Sequence, residues 1–156
     1  METVKPRLTF EQYLDYENRS DNRYEWVDGA LIALPPELEL NDFLAVWLQV
    51  ELAKLIGLRL VRAHTCEIQV RVLKKNDPQN RFPDLVVLRE EHLALTQKRL
   101  TIKIEMPPPQ LVVEVISPGK SNRDRDLNRK RSQYSNRGIP EYWLIDPESQ
   151  TITVLS

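Results

Sequence analysis

Polar and apolar positions recur along this chain with two different periods. "NDFLAVWLQVELAKLIG" sets Phe43, Leu44, Val46, Trp47, Val50, Ala53, Leu55 and Ile56 mostly on one face, from Asn41 to a stop at Gly57. That spacing predicts an amphipathic helix with its apolar face in the core and signals at both ends. "CEIQVRVL" sets Ile68, Val70 and Val72 against Glu67, Gln69 and Arg71, the two-residue period of a half-buried strand. "RYEWVDGALIAL" alternates around Asp28-Gly29, which predicts a tight hairpin. "TFEQYLDYEN" opens a short helix with a capping box, Thr9 and Gln12. "LRLVRA", "PDLVVL", "RLTIKI", "LVVEVIS" and "EYWLID" read as strands, with "QTITVLS" as a last hairpin partner. A polar helix runs from about Ser121 to Asn136, before Gly138. Such an order predicts a mixed sheet flanked by helices, in the α/β or α+β class.

Two acids interrupt the apolar runs. Glu114 lies within "LVVEVISPGK", whose β-branched run reads as a strand covered on both faces. An ionised carboxylate there is costly unless a cation meets it. Asp84 precedes the similar run in "RFPDLVVL", 30 residues earlier. If the two strands are neighbours, both acids enter one cleft, and they cannot both stay ionised without a counter-charge. A hard divalent cation supplies one. The plainer alternative has Asp84 capping a turn after Pro83 and Glu114 paired with a core arginine.

The helix "SNRDRDLNRKRSQYSN" has only Leu127 and Tyr134 as large apolar residues. At about 100° per residue they lie roughly 20° apart and define an inward stripe. Lys130 falls within about 60° of Leu127, so its amine is expected to meet Asp84 and Glu114. The alternative is an exposed pair with Asp126. Lys120, Arg123, Arg125, Arg129 and Arg131 make this region basic. Residues 117–137 carry 7 Lys+Arg against 2 Asp+Glu, whereas residues 1–60 carry 6 against 11. That local excess suits a polyanion or a solvated surface.

Composition narrows the remaining classes. A length of 156 residues with 41% hydrophobic and 29% charged positions is that of one soluble domain. No run is long and apolar enough to span a membrane, and "METVKPRLTFEQYL" has no signal-peptide core. The lone Cys66 excludes an internal disulfide and a cysteine-built zinc site, and points to a reduced, cytoplasmic setting. His64 and His92 have no partner at ligand spacing and read as surface or satisfied residues. Trp26, Trp47 and Trp143 read as core.

Taken together, "RFPDLVVL" and "LVVEVISPGKSNRDRDLNRKRSQYSNRGIPEYWLIDP" resemble the Uma family of endonucleases, within the PD-(D/E)xK restriction-endonuclease-like superfamily. The shared features are Glu-Val-x-Ser-Pro, the Asp-x-x-x-Lys-x-x-x-Tyr helix and Gly-x-x-Glu-Tyr-Trp-x-x-Asp-Pro, with a Glu-x-x-x-Gly hairpin upstream. The resemblance covers roughly residues 8–155. It implies a restriction-endonuclease-like core sheet with Asp84 and Glu114 on adjacent strands, binding Mg²⁺ or Mn²⁺ and hydrolysing DNA. The superfamily lysine belongs two positions after Glu114, where this chain has Ile116, so the resemblance implies that Lys130 replaces it. Glu25 matches the hairpin glutamate and would add a third carboxylate, or else points outward. Tyr134 would support Lys130 or a phosphate. At "LELNDFLAVWL" such proteins often carry a histidine, where this chain has Asn41. A homodimer follows from the two-fold symmetry of a cleaved duplex. The rival reading is a catalytically silent nuclease-like module that binds nucleic acid or a protein partner.

Overall fold

A computed structural model describes residues 3–4, 7–15 and 23–156. The chain enters through β1 (Thr3–Val4) and α1 (Phe10–Leu14), followed by the hairpin of β2 (Tyr24–Val27) and β3 (Ala30–Ala33). Next come α2 (Glu39–Ile56), β4 (Val61–Ala63), β5 (Glu67–Gln69), β6 (Asn80–Arg81) and β7 (Leu85–Val87). After the short α3 (His92–Leu95) and β8 (Thr101–Ile102) lies β9 (Leu111–Val115). The chain then forms α4 (Lys120–Asp124), a π-helical turn (Arg125–Arg129) and α5 (Lys130–Arg137) without a break. It closes with β10 (Glu141–Asp146) and β11 (Thr151–Leu155).

The main sheet has five strands in the order β11-β10-β9-β7-β4. The β9–β10 pair is parallel and the other neighbours are antiparallel. Two smaller three-stranded sheets, β1-β3-β2 and β6-β5-β8, flank it, so the class is mixed α+β as expected.

Strand alternation sorts the main sheet's side chains onto two faces. Val86, Leu88, Val112, Ile116 and Leu144 pack with Tyr134 of α5 on one face. Leu85, Val87, Val113, Val115 and Ile145 pack with Leu48 of α2 on the other. Each such side chain contributes about 1.5–3 kcal/mol when fully buried, which anchors both helices to the sheet. Glu114 shares the alternation of Val112 and Ile116, so it lies on the α5 face.

The local predictions hold where chain-local chemistry decides them. Thr9 and Gln12 form the capping box, and Asp28 and Gly29 both take positive φ in the hairpin. Residues facing a partner depart from expectation. The apolar face of α2 is not the buried one: Asn41, Ala45 and Leu48 face the protein, while Phe43, Val46, Trp47 and Val50 are exposed. Trp47 therefore lies outside the core. The helix starts at Glu39 after Leu38, which makes no side-chain cap, and Asn41 donates to Ser117 Oγ at 3.0 Å. Glu67, expected to face outward, is buried and accepts from Asn80, Thr101, Arg99 and Tyr13. Leu127 is 36% exposed. The inward residues of this helix are Asp126, Gln133, Tyr134 and Arg137, with the Lys130 side chain, 12% exposed, among them.

Candidate active site

The β4, β7 and β9 ladders bring three candidate side chains into one row. Ala63 pairs with Leu85, and Leu85 with Val113. One step further along, His64, Asp84 and Glu114 stand side by side on the three strands, and His64 N–H donates to the Asp84 carbonyl at 3.0 Å. Opposed residues of antiparallel strands point to the same face, so the two carboxylates enter the space beneath α5 together.

Each acid is held by a specific partner. Asp84 Oδ2 accepts the Val115 N–H at 2.7 Å, and Oδ1 lies 3.5 Å from His64 Nδ1. Glu114 is 2% exposed. Its Oε2 accepts the Tyr134 hydroxyl at 2.6 Å and stands 3.1 Å from Lys130 Nζ. Burial pushes the Glu114 carboxyl up, to about 7; Lys130 opposes that rise, while Asp84 and Asp126 add to it. Burial works to lower the Lys130 amine, but Glu114 and Asp126 outweigh it, and the net direction is upward. Burial lifts the Tyr134 phenol well above its ordinary value.

The π-helical turn places Lys130. Such a turn inserts an extra residue into the helix and resets the phase of the turns after it. Asp126 and Lys130 both end up inward, with Lys130 Nζ 3.2 Å from Asp126 Oδ1. Leu127 turns outward. Lys130 lies inward as the stripe argument expects, but in company with Asp126 and Tyr134 rather than Leu127, and it meets Glu114 and Asp126 rather than Asp84. Asp126 is 1% exposed, also bonded by Arg125 at 3.2 Å, and its Oδ2 has no hydrogen-bond partner among the described residues.

These groups line a cavity of about 390 Å³ whose walls include Glu25, Asp84, Glu114, Arg125 and Lys130. Glu25 also pairs with the buried Arg81 at 3.3 Å. The other basic residues scatter. Arg123 bonds Asp146 at 2.9 Å. Arg129 bonds Asp77 through Nε at 2.9 Å and reaches the Lys75 carbonyl at 2.9 Å. Lys120 and Arg131 are exposed.

Two site residues escape a reading of the linear chain, Glu37 and His64, while Asp126, expected only as an exposed partner of Lys130, pairs with it in a buried position. The expectation that His64 is a surface or satisfied residue is corrected here. Its ring lies among Glu37, Asp42 and Asp84. Against the effect of burial, Asp84 and Glu37 raise its pKa to about 10, and His64 in turn holds Glu37 down at about 2. One ligand atom from each of Glu37, His64 and Asp84 lies within 4.8 Å of the others, a spacing that could hold a metal ion. Only the strand register reveals this, because the β5–β6 excursion separates His64 from Asp84 in sequence. His92 is buried and satisfied, by the Arg89 N–H at 2.9 Å and the Pro107 carbonyl at 2.7 Å.

Known proteins share the family signature and the fold. Residues 10–156 match the family described as "Uma2: Putative restriction endonuclease". The fold is similar to that in the "crystal structure of a putative nuclease belonging to DUF820" from Anabaena variabilis, with a TM-score of 0.66 at 16% identity. That likeness covers 95% of this chain and 79% of the other. No curated protein matches the chain.

Proposed function

The chain belongs to the Uma2 family, and from that premise we propose that it hydrolyses DNA phosphodiester bonds with Mg²⁺ or Mn²⁺ at the pocket of Asp84 and Glu114. One observation carries this reading: two carboxylates from neighbouring strands line one cavity open to a ligand, with a lysine amine 3.1 Å from Glu114. The donors fit a divalent ion. They are oxygen ligands on rigid neighbouring strands that line one cavity. Asp84 and Glu114 would hold the ion, which when bound offsets phosphate charge and makes a coordinated water more acidic.

The chain's own groups do the remaining work. Lys130, kept charged by Glu114 and Asp126, orients the attacking water or meets charge developing on the phosphate. Tyr134 fixes the Glu114 carboxylate through its hydroxyl. Arg125 at the cavity wall faces the scissile phosphate, and Lys120 and Arg131 on the exposed helix surface grip flanking phosphates.

The partner in a two-strand cut is a second copy of this chain, and α2 offers the face for it. A helix apolar on both sides is one buried on both sides. Phe43 is 53% and Trp47 49% exposed, in a stripe with Val46 and Val50 opposite the sheet. The first turn of α2 is acidic, with Glu39 and Asp42, and the last is basic, with Lys54. Antiparallel pairing about a two-fold axis sets those ends against each other and aligns the helix dipoles favourably.

Plasmid cleavage tests the proposal. Supercoiled DNA with Mg²⁺ or Mn²⁺ should be nicked or linearised by the wild type and left intact by Glu114→Gln. Salt-sensitive duplex binding without any cleavage would instead identify a silent nuclease-like module.

A further inference from the structure

The surroundings of His64 hold more than the two-carboxylate arrangement uses. His64 follows β4 with φ +64°, a left-handed conformation that side chains other than glycine adopt at a cost. That turn aims its ring at the acids beside the cavity. Asp42 Oδ1 lies 3.1 Å from Nε2, and Glu37 Oε1 and Asp84 Oδ1 lie 3.4 Å and 3.5 Å from Nδ1. None of these approaches has hydrogen-bond geometry. Both ring nitrogens are buried without a hydrogen-bond partner among the described residues.

Asp84 shows the same bias. Val115 N–H holds Oδ2, and the other oxygen is turned toward His64. Ligands bound to one ion at about 2.0–2.3 Å lie at most about 4–4.6 Å apart. The ligand atoms of Glu37, His64 and Asp84 lie within 4.8 Å of one another, close to that span without movement of the strands. Glu37 comes from the segment after Pro35-Pro36, so it can approach without disturbing the sheet.

We propose that His64 and Glu37 join Asp84 as ligands of the divalent ion, giving a mixed nitrogen and oxygen site that prefers Mn²⁺ to Mg²⁺. Imidazole suits transition ions, whereas Mg²⁺ favours oxygen donors and water in a near-ideal octahedron. The inference rests on the metal-dependent activity proposed for this pocket and adds the ion's location, on the His64 side of Asp84, and its identity.

Mn²⁺ titration of the metal-free protein, followed by electron paramagnetic resonance, tests it without relying on activity. The wild type should bind Mn²⁺, and pulsed spectra should carry nitrogen-14 modulation from a coordinated imidazole. His64→Gln should abolish the modulation and weaken Mn²⁺ binding at least about tenfold. Glu37→Gln, on a segment outside the sheet, should weaken binding while keeping the modulation. Mg²⁺ should compete with Mn²⁺ only at large excess. Mn²⁺ bound without nitrogen modulation, and unchanged by His64→Gln, would overturn the inference and leave Asp84 and Glu114 as the ligands. A wild type that binds neither ion would overturn the metal-dependent activity as well.

Discussion

Lys130 Nζ stands 3.1 Å from Glu114 Oε2, although the lysine comes from a helix and the glutamate from the central strand of the main sheet. Ile116, two positions after Glu114, is buried in the core cluster that includes Tyr134. A cation supplied from α5 reaches the same carboxylate from above the sheet. Lys130→Ala should therefore lower cleavage by roughly 10²- to 10⁴-fold, the range for one well-placed polar group. Lys130→Arg keeps the charge that Glu114 and Asp126 require, so it should fold, yet a forked planar cation should not restore the rate. Single-turnover cleavage, with circular dichroism as the check on folding, measures both.

Asp84→Asn and Glu114→Gln should each abolish cleavage and weaken metal binding while the sheet stays intact. Each replacement keeps the size of the side chain, and the strand pairing comes from backbone groups. Either variant cleaving at the wild-type rate would place the chemistry elsewhere.

The basic helix divides into two classes by its partners. Lys120→Ala and Arg131→Ala, both at exposed positions, should weaken duplex binding for every sequence, and each should flatten the slope of log K against log salt by about one unit. Arg129 is committed to the buried Asp77. Its replacement by alanine should cost about 1.5–3 kcal/mol of stability in urea denaturation and leave that slope nearly unchanged.

The bare face of α2 predicts a dimer in solution. Sedimentation should report twice the chain mass for the wild type, and Trp47→Lys or Val50→Lys should give a folded monomer. A wild-type monomer at about 100 μM, well above the concentrations at which stable dimers dissociate, would remove the second copy as the partner.

Acid stability should register the Arg123–Asp146 pair. Arg123 holds the Asp146 carboxyl down, from 3.8 to about 2. A carboxyl lowered by folding stabilises the protein above its unfolded value, and the contribution is lost as pH falls through the folded one. The wild type should lose this contribution between about pH 4 and pH 2. In Arg123→Ala it should be reduced at neutral pH already, with Ser149 still lowering the carboxyl, and the fall over that window should be smaller. Thermal midpoints measured across that range decide the matter.

Much of the site was legible along the chain because its signals are local. An acid inside a β-branched run is anomalous wherever the strand ends up, which exposed Asp84 and Glu114. Thr9 with Gln12, and Asp28 with Gly29, form their structures from neighbouring residues alone. The α2 stripe was equally visible, but periodicity cannot say which side of an apolar helix meets the sheet. Nor could a uniform helical angle allow for the π-helical turn at Arg125–Arg129, which sends Leu127 outward and brings Asp126 in. His64 was the hardest to read. Nothing beside it in sequence is a ligand, and it meets Asp84 only because β4 and β7 pair in one register. Side-chain chemistry and short-range backbone preference act within a few residues and can be read from them. Which faces touch, and which distant carboxylates share a cation, is decided by strand register and helix phase, and those exist only once the chain has packed.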